Sequence, residues 1–167
     1  MSMLLRMLRH LCTSRWRTHA LFDTSTLKQI EDAITAAEAQ HEGQIRFAIE
    51  TSLHPAALWR RVSPRARALQ VFAQLRIWDT EHNSGVLIYV LRADRAVEII
   101  ADRGISAQVS EAEWQAVCHQ VEAHYREGRY VDGSLAAVAG VARLIARHFP
   151  ASVPEAKPEL PNQPVLL

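Results

Sequence analysis

Between Leu75 and Gly104 the chain carries two apolar runs joined by a four-residue turn, and no other stretch restricts the fold as much. Val86 to Leu91 is continuously apolar, Arg92-Ala93-Asp94-Arg95 has turn composition, and Ala96 to Ala101 is again largely apolar. Such a pair predicts an antiparallel hairpin. In that geometry the start of the first strand lies beside the end of the second, so the loop Asp79-Thr80-Glu81-His82-Asn83-Ser84-Gly85 sits next to Asp102-Arg103-Gly104. Carboxylates distant in sequence are thereby expected on one sheet edge.

Upstream, Gln44 to Glu50 alternates, with Ile45, Phe47 and Ile49 on one side and Arg46 and Ala48 on the other, as a strand with unequal faces does. A variable loop around His54 to Val62 precedes a helix opened by Ser63 as cap and Pro64 at its first position, with Ala68, Leu69, Phe72 and Leu75 as its apolar stripe. Strand, helical crossover and strand imply parallel pairing of Gln44–Glu50 with Val86–Leu91. Helices are further expected over about Thr26 to Gln40, where Thr26 and Gln29 resemble a capping box, from Ser110 to Gly128, and over about Asp132 to His148. The expected fold class is α/β: a three-layer α/β/α sandwich around a small mixed sheet of Rossmann-like topology.

The chain has 167 residues, room for one well-filled domain. Three segments are expected: a basic amphipathic helix over 1–20, the domain over 21–149, and a disordered tail over 150–167 that contains Pro150, Pro154, Pro158, Pro161 and Pro164. Leu4, Met7, Leu8 and Leu11 recur at helical spacing, among Arg6, Arg9, Arg15 and Arg17, with no acidic residue before Asp23. Residues 1–19 are therefore expected either to pack on the domain or a partner, or to touch an anionic membrane. A formal net charge of +1 gives no bulk attraction to nucleic acid, which is not expected as a partner. The basic residues are arginine apart from Lys28 and Lys157, a bias attributed to genome composition rather than to phosphate binding. Cys12 and Cys118 lack metal-ligand spacing, which suggests a reduced, cytoplasmic protein.

Hard divalent cations take oxygens from carboxylates, amides and backbone. Asp79, Glu81, Asn83 and Asp102 supply these, so calcium or magnesium is the expected ligand there and no organic cofactor is expected. The competing explanation is that Asp79, Asn83 and Asp102 only cap turns. His119 and His124 are five residues apart and cannot share one helical face, and Cys118 falls on an apolar face. Neither a serine elbow nor a phosphate-cradling glycine loop is present.

Gly43-Gln44-Ile45-Arg46-Phe47-Ala48, Ala68 through Trp78-Asp79-Thr80, Asn83-Ser84-Gly85-Val86-Leu87-Ile88-Tyr89, Val97 through Gly104, Trp114 and Gly128-Arg129-Tyr130 together resemble the TPM domain family. The resemblance covers about residues 25 to 149 and implies an α/β/α sandwich. It also implies links to photosystem repair or receptor modulation, a proposed acid phosphatase activity, and divalent metal near loops at one sheet end, which favours Asp79, Asn83 and Asp102. Gln44 and Ser84 depart from it, where related sequences often carry further acidic or amide side chains, and both changes weaken a cation site. The expected function is an interaction module with a divalent-metal site, acting beside a membrane or membrane protein. The alternative is a metal-dependent hydrolase of phosphomonoesters.

Overall fold

A computed structural model describes residues 3–151 and 159–167. Two short helices, α1 (Met3–Cys12) and α2 (Arg15–Leu21), lead into α3 (Thr24–Glu38), β1 (Gln44–Glu50), α4 (Pro55–Trp59), α5 (Pro64–Gln74) and β2 (Gly85–Leu91). There follow β3 (Ala96–Ala101), α6 (Arg103–Ser106), α7 (Glu111–Arg126), α8 (Tyr130–His148) and a short β4 (Val165–Leu166). The sheet order is β3-β2-β1-β4, with β2 parallel to β1, β3 antiparallel to β2, and β4 parallel to β1.

Each strand face feeds a separate core. Ile45, Phe47, Ile49, Val86, Ile88 and Val90 pack against α3, α7 and α8, whereas Ala48, Leu87, Tyr89 and Leu91 pack against α4 and α5. This is the three-layer α/β/α arrangement that the hairpin and crossover imply. The helix starts follow their caps: Ser63 accepts from the Ala66 N–H, and Ser110 with Glu113 closes a reciprocal capping box. The cap of α3 is Asp23, whose carboxylate accepts from the Thr26 N–H, so the helix begins two residues before the expected Thr26. The segment read as a variable loop contains α4, with His54 as its N-cap.

Two expectations change at β1. All seven of its residues are buried, so its polar side does not face water. That side lies partly under residues 159–167, which the proline content suggested were disordered. Gln44 Oε1 accepts the Glu159 and Leu160 N–H groups (2.8 and 3.1 Å), and Arg46 donates to the carbonyls of Pro161 and Gln163. Leu160 is buried, and Leu167 donates to the Ile49 carbonyl. A buried polar strand face is tolerable only when its hydrogen bonds are met, and this strap meets them. Residues 152–158 of the expected tail lie outside the described residues.

One polar contact under the strap is incomplete. Glu38 Oε1 accepts the Ile45 N–H at 2.8 Å, but Glu38 Oε2 and Asn162 Oδ1 are both buried acceptors without a donor. Burial pushes the Glu38 carboxyl up to about 7, against the pull of the Ile45 N–H, Asn162 and Arg46. Between its ordinary 4.5 and about 7 the folded state keeps a proton that the unfolded chain has lost, so stability falls as pH rises through that window. Glu38→Gln removes the charge and offers an amide donor to Asn162. The variant is expected to be more stable than wild type by about 1–2 kcal/mol at pH 8, measured by thermal unfolding, with little gain near pH 5. An unchanged or lower melting temperature at pH 8 would contradict this assignment.

Candidate functional site: two rims of the sheet

The sheet has two working edges. At one rim, the N-terminal ends of β1 and β2 meet the C-terminal end of β3, which is the acidic edge read from the sequence. The hairpin does bring the expected loops together: the Asp102 N–H donates to the Gly85 carbonyl (2.8 Å), and the Gly104 N–H to the Asn83 carbonyl (3.1 Å). A side chain at residue 104 would place its Cβ 2.6 Å from the carbonyl oxygens of both His82 and Asn83, so only glycine permits this approach.

The four oxygen-bearing residues are turned to different tasks at this rim. Asp79 is exposed and pairs with Arg76 at 3.2 Å. Asn83, at φ 51°, accepts the Arg103 Nε–H on its Oδ1 at 3.1 Å. Glu81 is exposed, and its backbone N–H donates to Glu159. Asp102 caps α6 by accepting the Arg103 N–H at 2.7 Å, while its Oδ2 is buried without a partner. Among the described residues, no three carboxylate, imidazole or thiol side chains gather where one ion could be held. The rim offers a cation the exposed carboxylate of Glu81, the unpartnered Oδ2 of Asp102 and a tight turn, short of the roughly six to eight oxygens calcium takes. As a set the four residues do not fit a ready-made cation site.

The opposite rim, at the C-terminal ends of β1 and β2, is where the N-terminal helix sits. The turn Arg92–Arg95 is anchored there by Arg92 N–H to Glu50 O and Ala93 N–H to Thr51 O (2.9 and 3.0 Å). Asp94 then becomes a clamp for α1. Its carboxylate accepts Arg6 Nη2–H at 2.7 Å and His10 Nε2–H at 3.1 Å, and Arg9 Nη2 lies 3.8 Å away. Arg9 also donates to the Ala93 carbonyl (2.6 Å), and Arg6 to that of Val62 (2.8 Å). The Leu53 N–H donates to His10 Nδ1 at 3.0 Å, which leaves the His10 proton on Nε2, facing Asp94. Burial drives the Asp94 carboxyl upward, but the hydrogen bonds from Arg6 and His10 outweigh it and hold the group below the ordinary carboxylate range.

The clamp fixes which way α1 faces. Arg6, Arg9 and His10 lie on the domain together with Met7, which packs against the core of that sheet face, and Leu4, Leu5, Leu8 and Leu11 are left 52 to 79% exposed, with Trp16 of α2 at 77%. The expected packing of an amphipathic helix is inverted here, because the arginines find a buried carboxylate and backbone carbonyls that leucines could not use. Beside α1, on α4, Trp59 is 71% exposed, next to Arg60 and Arg61. The sequence points to Arg6 only as one of the basic residues of the N-terminal helix, and to neither His10 nor Asp94 as its partner in a clamp. The signal for them was indirect: an N-terminal run of arginines without an acid needs an acid from elsewhere when it folds onto a domain.

Cys118 carries no nucleophilic role in this arrangement, since burial first, and then Glu98 and Glu122, push its thiol up to about 12. Among the described residues no helix is long and apolar enough to cross a membrane.

The TPM domain model matches residues 17–144, most of the chain and both rims of the sheet. The chain belongs to the TPM domain family. The solution structure of the BA42 protein from the psychrophilic bacterium Bizionia argentinensis is similar at 28% identity and a TM-score of 0.75, over 87% of this chain and 94% of that one. The N-terminal domain of a P. gingivalis protein shares the fold at 14% identity and a TM-score of 0.65, over 82% and 83% of the two chains. A comparison with curated proteins finds no match. The TPM match begins within α2, so α1 lies outside the matched residues, whereas Asp94 and its turn lie inside them.

Two outcomes follow from the rims. Asp94→Ala removes the acceptor shared by Arg6 and His10, and limited trypsin digestion is expected to cut within residues 6–17 about tenfold faster; an unchanged rate would show that α1 is held otherwise. At the acidic rim, calcium titration calorimetry is expected to give binding no tighter than about 1 mM, lost in Asp102→Ala. Micromolar affinity would contradict the pairing of Asp79 and Asn83 with arginines.

Proposed function

We propose that this TPM-domain protein is a binding module that docks on an anionic membrane surface through α1 and α2. The observation that carries the reading is the outward set of Leu4, Leu5, Leu8 and Leu11 on α1, whose arginines are fixed to the domain, with the exposed Trp16 on α2. Isolated exposed leucines need no explanation, but a contiguous stripe clamped outward keeps an apolar surface in water that a bilayer interface would relieve. Fully burying one leucine stabilises by about 1.5–3 kcal/mol, and each arginine near an anionic leaflet adds about 1 kcal/mol.

Arg15 and Arg17 lie on the same segment as the stripe, with no acidic residue before Asp23. Apolar surface and basic charge are the two signals that stable peripheral anchoring requires. The exposed Trp59, with Arg60 and Arg61, extends the same composition onto α4. A reducing, cytoplasmic setting accords with two unpaired cysteines, and a membrane protein on that surface is the partner the module would meet.

A divalent cation belongs to this proposal only as a weak ligand of the acidic rim through Asp102. Hydrolysis of phosphomonoesters has less support, because the carboxylate of Asp79 and the amide of Asn83 are engaged by Arg76 and Arg103. Vesicle flotation tests the proposal. Wild type is expected to float with phosphatidylserine-rich vesicles and to be released by high salt, and Leu8→Glu with Leu11→Glu is expected to abolish flotation while leaving thermal stability unchanged. Flotation that survives both substitutions, or its absence from wild type, would overturn the reading.

A further inference from the structure

We propose that the rim beneath α1 carries an anion site for a phosphate group, built from Arg9, Arg92 and Arg95 with the hydroxyl of Tyr130; Thr13 lines the same space, its own hydroxyl proton already given to the Arg9 carbonyl. These residues line a cavity of about 310 Å3 together with Ala93, and no acidic residue lines it. The site lies at the C-terminal ends of parallel β1 and β2, the end of an open α/β sheet at which ligands are bound. It is the rim opposite Asp79 and Asp102.

The charges around this cavity are not balanced by the protein. Asp94, the nearest carboxylate in the turn, is committed to Arg6 and His10, with Arg9 at its margin. Arg92 gives Nη1–H groups to neutral acceptors only, Ser14 O at 3.3 Å and Thr18 Oγ1 at 2.9 Å, and its Nε is buried without a partner. The Arg95 side chain is exposed and forms no ion pair or hydrogen bond among the described residues. Two of the three guanidinium groups therefore lack a counter-ion. Gathering like charges costs energy unless an anion joins them, and planar guanidinium groups suit the several oxygens of a phosphate.

The rest of the cavity supports the same ligand class. Tyr130 is held in place by edge contact with Phe22 (5.8 Å, 72°) and by Tyr125 at 5.1 Å, so its hydroxyl is presented from a fixed ring. It is also the first residue of α8, a 19-residue helix whose start has no side-chain cap and whose first-turn acid, Asp132, faces Arg129 at 3.6 Å. The phosphate could be carried by a lipid headgroup or by a free phosphorylated compound; the recognition chemistry is common to both.

The test has two arms. In the first, inorganic phosphate is titrated into the full chain and followed by two-dimensional amide NMR, with sodium chloride of matched ionic strength as control. Shifts are expected in residues 92–95 and 130–132, and Arg95→Glu is expected to weaken binding about tenfold or more while leaving the melting temperature unchanged, since that side chain holds nothing. In the second, flotation compares vesicles containing phosphatidic acid with vesicles of equal charge containing phosphatidylserine. A preference for phosphatidic acid that Arg95→Glu removes assigns the phosphate to a lipid; phosphate-induced shifts without that preference assign it to a free compound. Absence of shifts at 92–95 and 130–132, equal shifts from chloride, or insensitivity to Arg95→Glu would overturn the site. The first arm contains no membrane, so failure of membrane docking leaves it readable.

Discussion

The carboxylate of Asp94 determines how the N-terminal helix α1 is arranged on this molecule. It sits in a tight turn between β2 and β3, nearly buried, and it accepts from Arg6 and His10 at once. A carboxylate in that position would be costly alone, and guanidinium groups on an isolated helix would remain in water. Together they convert a basic amphipathic helix into a cover for one end of the sheet. Because the clamp takes Arg6, Arg9 and His10 inward, with Met7 beside them, the four leucines of α1 face outward.

The two rims of the sheet have acquired opposite characters from the same topology. Parallel β1 and β2 with antiparallel β3 gather the acidic loops at one end and the arginine-rich turn at the other. At the acidic end, two of the four oxygen-bearing side chains are answered by neighbouring arginines, Asp79 by Arg76 and Asn83 by Arg103, and Asp102 is turned to capping α6. At the arginine-rich end, Asp94 answers the α1 arginines and leaves Arg92 and Arg95 without a carboxylate. Between the ends, the polar side of β1 is buried with its demands met: Glu50 accepts from Arg67 and from the Tyr89 hydroxyl (2.6 Å), and Gln44 and Arg46 bind the C-terminal strap. That inner network explains why a strand with three polar side chains can be wholly covered.

Much of the fold was legible because it rests on local periodicity. The hairpin, the parallel crossover and the Ser63 and Ser110 caps follow from alternation, turn composition and cap chemistry, each a short-range signal. The strap was hidden for a different reason: the prolines that mark 150–167 as irregular say nothing about whether irregular backbone can satisfy Gln44 and Arg46. The convergence of the acidic loops at one rim is legible from the hairpin, whereas the pairing of Asp79 with Arg76 and of Asn83 with Arg103 is not, since the sequence does not reveal which arginine an oxygen will meet. Orientation of α1 was the least legible feature. An amphipathic pattern states that two faces differ, not which one is buried, and here one acid 84 residues from His10 decides it.

The claim that a buried carboxylate turns α1 polar-side inward is tested most directly by nuclear Overhauser spectroscopy on the full chain in aqueous buffer. The account expects contacts from the His10 ring to the Leu53 amide proton and to the Asp94 side chain, with helical shifts across 3–12. Random-coil shifts for that segment, or contacts from Leu8 and Leu11 to the sheet in place of His10, would contradict it.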